Sequence, residues 1–226
     1  MYFFDPWYLL YISPALLLAL WAQFRVKSTY ATARQQPAPL SGAAAARHIL
    51  DSDGLTDVQI EQIPGQLSDH YDPRDRVLRL SPEVYQGRTL ASVGIAAHEA
   101  GHALQHAHDY APLTVRNAAV PAASFGSGAG MWMIIGGMIF SIGALVWIGM
   151  GLFACVVFFQ LVNLPVEFNA SSRAKAQLVQ LGIVPQEEMG YVNSVLNAAA
   201  WTYVAATLQS VMVLLYFLMR ASGGRD

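Results

Sequence analysis

The chain is short of charge and almost without cysteine. Asp, Glu, Lys and Arg make up 12% of its 226 residues, about half the roughly 25% of an ordinary soluble domain. Cys155 is the single cysteine. No internal disulfide can form, and nothing points to an oxidising compartment. The formal net charge is −2 and no basic run is present, which argues against nucleic acid as a partner, because phosphate binding needs a basic face. No internal repeat is visible. The deficit of charge is also uneven: residues 117–166 contain no charged side chain at all. Concentrated gaps of this kind point to membrane segments rather than to a uniformly apolar soluble core.

Hydrophobic residues account for 54% of the chain. Residues 7–24 are uncharged and just long enough to cross a bilayer. A secretory signal would have a basic leading region and a small-x-small cleavage site. Here Asp5 precedes the run and Ala22-Gln23-Phe24 ends it, so an uncleaved anchor is expected. Pro14 is tolerable in such a helix. Arg25, Lys27 and Arg34 follow at once, which places that flank in the cytoplasm and the N-terminus outside. The 50 residues of 117–166 exceed one span of about 20 residues and fit two. The expected turn is Ser141-Ile142-Gly143; a single long tilted helix is the alternative. Residues 198–219 form another candidate span, so four spans leave the C-terminal tail outside.

Between the first two apolar regions the pattern changes. Residues 35–40 (QQPAPL) read as a linker. Ser41 is an expected N-cap for a helix through Leu50, ended by the turn Asp51-Ser52-Asp53-Gly54. Residues 58–63 alternate apolar and polar and read as a strand, closed by Pro64-Gly65. Val77–Leu80 reads as a second strand after a turn at Asp72-Pro73. Ser81-Pro82-Glu83 is a helix start with proline at the first helical position. The fold class expected is a mainly α membrane protein, with about four transmembrane helices and a small α+β cytoplasmic domain.

Residues 89–110 hold His98-Glu99-Ala100-Gly101-His102, an H-E-x-x-H. Two histidines four apart lie on one face of a helix, so both imidazoles can reach one metal ion. Glu99 projects beside it as the expected general base. Catalytic Zn²⁺ takes three protein ligands and keeps one position open, so a third ligand is needed. His106 continues the same row, about 12 Å along the axis from His98 at 1.5 Å per residue, and reads as a surface or supporting residue. His108 occupies the last position of the metzincin pattern, which requires a glycine where this chain has Gln105. The helix is expected to run on through Gln105 and carry His108 away. Glu167 is the only carboxylate between Asp109 and Glu187; its bland reading is a charge marking a membrane boundary. It can share a metal with His102 only if an even number of spans separates them, and the length of residues 117–166 favours a hairpin. The expected divisions are therefore an anchor (1–28), an α+β region with the H-E-x-x-H helix (29–116), a hairpin (117–166), a helix carrying the third ligand (167–197), and a last span with its tail (198–226).

With these residues assembled, the chain resembles the YugP-type neutral zinc metallopeptidases of bacterial membranes. The resemblance covers nearly the whole chain and rests on Phe4-Asp5-Pro6, residues 23–30 (QFRVKSTY), 69–74 (DHYDPR), 96–107 (AAHEAGHALQHA), 110–113 (YAPL) and 164–171 (LPVEFNAS). It is more distantly similar to the gluzincin-type CAAX prenyl and heat-shock membrane proteases, which have H-E-x-x-H, a membrane hairpin, then E-x-x-x-D. Glu167 matches their glutamate, but Ser171 stands where their aspartate supports a ligating histidine; Asn169 and Arg173 are the candidate substitutes. The resemblance implies one Zn²⁺, a polypeptide substrate that is membrane-associated or misfolded, and a multi-pass protein of the bacterial inner membrane.

His70 and Tyr71, within Asp69-His70-Tyr71-Asp72, read most simply as part of a turn. The functional alternative is a segment bordering the cleft, from which either side chain donates to a tetrahedral oxyanion; by position it resembles the segment leading to the edge strand of related proteases, where extended substrate adds by backbone pairing. The cytoplasmic side is expected for the site: nine Lys/Arg lie in residues 25–116 and two in 167–197, against two in the tail, with the three near the first span weighing most. An intramembrane site-2-type protease would bury H-E-x-x-H in a spanning run, but Arg88, Gln105, His106, His108 and Asp109 make this helix too polar. A membrane scaffold or chaperone with a structural zinc is the non-catalytic rival. A transporter is disfavoured, because no charge marks a pathway. Glycines at 126, 130, 136, 137, 149 and 151 allow close helix packing within one chain or in an oligomer.

Overall fold

Where charge is scarce the chain forms long helices. The computed structural model describes residues 6–66 and 68–223; Phe4 and Asp5, and Arg225 of the tail, lie outside the described residues. Among the described residues, four helical segments are long and apolar enough to cross a membrane. They are α1 (Pro6–Ala33), the segment Ala111–Ile139, α7 (Gly143–Gln180) and α8 (Met189–Gly223). The second comprises α5 (Ala111–Phe125), a π-helical stretch at Gly126–Gly130, and α6 (Met131–Ile139). The uncharged stretch is thus two helices and not one long one. They are joined at Phe140-Ser141-Ile142, where Ser141 takes a left-handed φ of 57°. The molecule is a mainly α membrane protein with a small mixed α/β part.

The described chain separates into two compact units. One comprises the chain up to Ala22, Thr114–Pro165, and Trp201 onward. Its core is Ile12, Ile134, Met150, Phe153, Val213 and Phe217. Glycine makes its hairpin tight: a Cβ on Gly126 would run into Leu152 O, and one on Gly149 would meet Gly130 O at 2.7 Å. Small residues at such crossings let backbones approach, the packing available when lipid removes the hydrophobic drive between helices. Large apolar side chains point outward, among them Leu17, Trp132 and Phe140, a surface suited to lipid rather than water.

The other unit comprises Gln23–Leu113 and Val166–Ala200. It contains α2 (Gly42–Ser52), β1 (Gln59–Gln62), β2 (His70–Asp72), β3 (Val77–Leu80), α3 (Pro82–Gln86) and α4 (Leu90–Ala107). Ser41 caps α2 as expected, its side chain accepting from Ala44 N. The sheet order is β1-β3-β2, with β1 parallel and β2 antiparallel to β3. The sequence reading makes His70–Asp72 a turn; the structure makes it a strand paired with β3, His70 opposite Arg79 and Asp72 opposite Val77. Three residues are too few to show an alternating pattern. The turn proper is Pro73–Arg76, where Arg76 has φ 53° and Asp72 Oδ1 accepts from Arg74 N at 3.0 Å. The core of this unit gathers Ile49, Leu50, Leu78, Leu80, Val93, Ala97, Leu104, Leu178 and Val192, with α4 running through it.

Candidate metal centre

α4 is built from small residues for a reason visible in its packing. Ala91, Gly94, Ala96, Ala97, Ala100, Gly101 and Ala103 are all buried, so neighbouring segments come close on several sides. At Gly101 the approach is closest to a limit: a Cβ there would lie 2.6 Å from Ala170 O, in α7. The start of α4 is pinned. Thr89 accepts from Ser92 N, and the segment expected as a linker is tied down by Leu90 N donating to Gln36 O and Ala38 N to Arg88 O, both at 3.0 Å. The H-E-x-x-H turn therefore sits on a fixed helix.

Helix periodicity puts His98 and His102 one turn apart, their rings edge to face with centroids 4.8 Å apart. α7 brings Glu167 to them. His98 Nε2 lies 3.3 Å and His102 Nε2 3.7 Å from Glu167 Oε2, and the three donor atoms all lie within 4.8 Å of one another. Ligands about 2.0–2.1 Å from a tetrahedral zinc stand roughly 3.3–3.4 Å apart. Two imidazoles and a carboxylate at these separations suit Zn²⁺ in both chemistry and spacing. All three residues are mostly buried, with Glu167 5% and His102 7% exposed.

The far nitrogens of both rings are also held. His98 Nδ1 pairs with Ser171 Oγ at 3.1 Å, and His102 Nδ1 with Gln105 Oε1 at 3.0 Å. Bonds of this kind orient a ring and leave Nε2 to face the metal. Sequence reasoning looked to Asn169 or Arg173 to replace the missing aspartate. Ser171 itself contacts His98, while Asn169 stands one bond further out behind Gln105, and Arg173 stands behind Asn169, its Nε donating to Asn169 Oδ1 at 2.8 Å. In the sequence Gln105 reads only as a helix former in place of a glycine. It is fully buried; a glutamine one turn after the second histidine was the available signal.

Glu99 lies in the same turn as the two histidines and is 9% exposed. Burial pushes its carboxyl up to about 7; the His98 ring works against the rise, Glu167 and Asp69 add to it, and His70 opposes it least. His70 is exposed on β2, with Nδ1 2.7 Å from Ser68 O. Tyr71 is half-buried, and its hydroxyl lies 2.9 Å from His106 Nδ1. His106 is thus a partner of β2. His108 is not among the three convergent residues: α4 runs on through Gln105 as far as Ala107, with His108 its C-cap, and Asp109 turns the chain with φ 49°. His108 Nε2 then lies 2.9 Å from Asp53 Oδ2, and its Nδ1 2.9 Å from Arg173 Nη1.

Known proteins bear on this arrangement. The family model described as "Putative neutral zinc metallopeptidase" matches residues 8–222. A Bacillus subtilis (strain 168) protein, "Putative membrane protease YugP", is 48% identical over 214 residues, covering 94% of this chain and 95% of that one. No solved structure matches. A match that takes in nearly the whole of each long helix and all of the two-histidine, one-glutamate cluster means that the chain belongs to the neutral zinc metallopeptidase family.

Proposed function

We propose that this protein is a membrane zinc metalloendopeptidase of the gluzincin type, hydrolysing peptide bonds in membrane-associated or misfolded polypeptides on the cytoplasmic side of a bacterial inner membrane. One observation carries the reading: two imidazole nitrogens and a carboxylate oxygen converge within 4.8 Å, beside the buried carboxyl of Glu99. His98, His102 and Glu167 are the proposed ligands of a single Zn²⁺. When bound there, the ion would supply Lewis acidity, easing loss of a proton from water and polarising the substrate carbonyl. Glu99 takes the proton of the attacking water on a carboxylate oxygen and hands it to the leaving amide nitrogen. A base that titrates near neutrality suits both transfers.

His70 and Tyr71 remain the proposed donors to the oxyanion, on unequal terms. The Nδ1 of His70 faces the carbonyl of Ser68, which can only accept, so that nitrogen carries a hydrogen. Its Nε2 can donate only in the imidazolium form. Tyr71 already shares its hydroxyl with His106 and acts through that pair. The cytoplasmic placement rests on Arg25, Lys27 and Arg34 after the first apolar run.

The test is zinc content and cleavage of an unfolded substrate such as casein by the detergent-solubilised full chain. Glu99→Gln is expected to keep the metal and lose cleavage by at least about 100-fold. Glu167→Ala is expected to lose most of both. If Glu167→Ala binds zinc and cleaves like the wild type, the ligand assignment is wrong. If Glu99→Gln leaves the physiological function intact, the protein is a scaffold with a structural zinc.

A further inference from the structure

We infer that Gln105 is the positioning residue of this centre: its buried carboxamide sets the tautomer of His102 and ties that histidine to the turn of α7 bearing Glu167. The inference rests on the metal reading above and adds to it a residue outside the H-E-x-x-H motif. It follows from counting donors and acceptors. Arg173 has donors only, and its Nε lies 2.8 Å from Asn169 Oδ1, so Asn169 turns its oxygen that way. The same oxygen takes a second bond from Gln105 Nε2 at 3.0 Å. Gln105 Nε2 also donates to the backbone carbonyl of Val166 at 2.8 Å. Both neighbours accept only, so the amide nitrogen must face α7 and the amide oxygen must face the other way.

That oxygen meets His102 Nδ1 at 3.0 Å. An acceptor in this position requires hydrogen on Nδ1. A neutral imidazole then carries its lone pair on Nε2, the atom 3.7 Å from Glu167 Oε2. Val166 immediately precedes Glu167 in sequence, and Asn169 follows it by two. One side chain thus fixes the orientation of one proposed ligand and the place of the turn that carries another. A fully buried glutamine is costly unless its polar atoms are paired, and here both the oxygen and the nitrogen are used.

The test uses the full-length protein in detergent, loaded with Zn²⁺ or Co²⁺ and titrated against a chelator. Gln105→Leu removes the amide. Gln105→Met keeps the unbranched length and most of the volume. Each is expected to weaken metal binding about 10–100-fold and to alter the visible absorption of the cobalt form. Each should also shrink the rise in melting temperature that zinc confers. A merely structural glutamine would instead lower the metal-free melting temperature and leave that rise and the cobalt spectrum alone. Metal binding within about threefold of wild type and an unchanged spectrum, in either folded variant, overturns the inference. A measurement on the unmodified protein stands beside these: ¹⁵N-imidazole NMR of the metal-free wild type, above the histidine titration range, should show His102 as the Nδ1–H tautomer, and the Nε2–H form overturns the inference whether or not the variants fold. Failure of the metal reading is separate and shows as the absence of stoichiometric zinc or cobalt in the wild type.

Discussion

Gly101→Ala adds one methyl group where the backbones of α4 and α7 approach each other. The new Cβ would lie 2.6 Å from Ala170 O, whereas ordinary van der Waals contact begins near 3.4 Å. The difference, 3.4 − 2.6 = 0.8 Å, must come from movement of one helix backbone against the other, because no flexible side chain lies between. Ala170 is adjacent to Ser171 and three residues after Glu167, so the displaced turn carries both the third proposed ligand and the partner of His98. Metal sites hold their bond lengths to within about 0.2 Å; a displacement several times larger should weaken zinc binding at least about 10–100-fold. Stability should change less. Alanine gains about 1 kcal/mol over glycine in helix propensity, and overpacking costs about 1–3 kcal/mol, a net loss of about 0–2 kcal/mol. The expected signature is loss of metal out of proportion to loss of fold, measured by chelator competition beside the melting temperature of the metal-free protein. Gly190→Ala, where nothing lies within 4 Å of the added carbon, is the control and should bind zinc normally. A Gly101→Ala protein that holds one zinc with wild-type affinity would refute the argument that the α4–α7 distance sets the site.

Two further outcomes follow from neighbouring contacts. Asp72, 7% exposed, is held well below the usual carboxylate range by Arg74 and, after the opposing cost of burial, by Arg79. Because its folded pKa lies below the unfolded value of about 3.9, its contribution is full above that pH and fades as pH falls towards the folded pKa. Asp72→Ala should cost about 2–3 kcal/mol at pH 7, the worth of hydrogen bonds between charged groups, drawn mainly from Arg79 at 3.0 Å because the Arg74 side chain is 86% exposed. The gap between variant and wild type should narrow in unfolding curves taken below pH 3. His108→Ala should leave zinc content unchanged and cost about 0.5–1.5 kcal/mol through its lost bonds to Asp53 and Arg173; loss of zinc would instead make His108 a ligand.

The local rules that held are those with a short physical reach. Absence of charge over residues 117–166 called for spans, their length called for two helices, and the turn fell where expected, with α7 beginning at Gly143. Ser41 and Ser81 begin helices as their positions suggest. The spacing of His98 and His102 and the position of Glu167 after a hairpin were enough to expect the three to meet. The reading failed where a residue's role depends on what faces it. His70–Asp72 becomes a strand only because β3 supplies the partner. The serine at 171 looked like a gap in a family pattern, yet its hydroxyl is near enough to His98 Nδ1 to bond it.

Sequence by itself determined which segments cross apolar surroundings, where helices begin, and which side chains carry ligand chemistry, because each follows from composition or from the 3.6-residue period of one helix. Tertiary structure alone decided how the histidine rings are held and how close α4 and α7 come. Gln105, Ser171 and Gly101 take their meaning from atoms more than sixty positions away in the chain. Hydrogen-bond direction and backbone approach are properties of a pair, and the chain spells out only one member at a time.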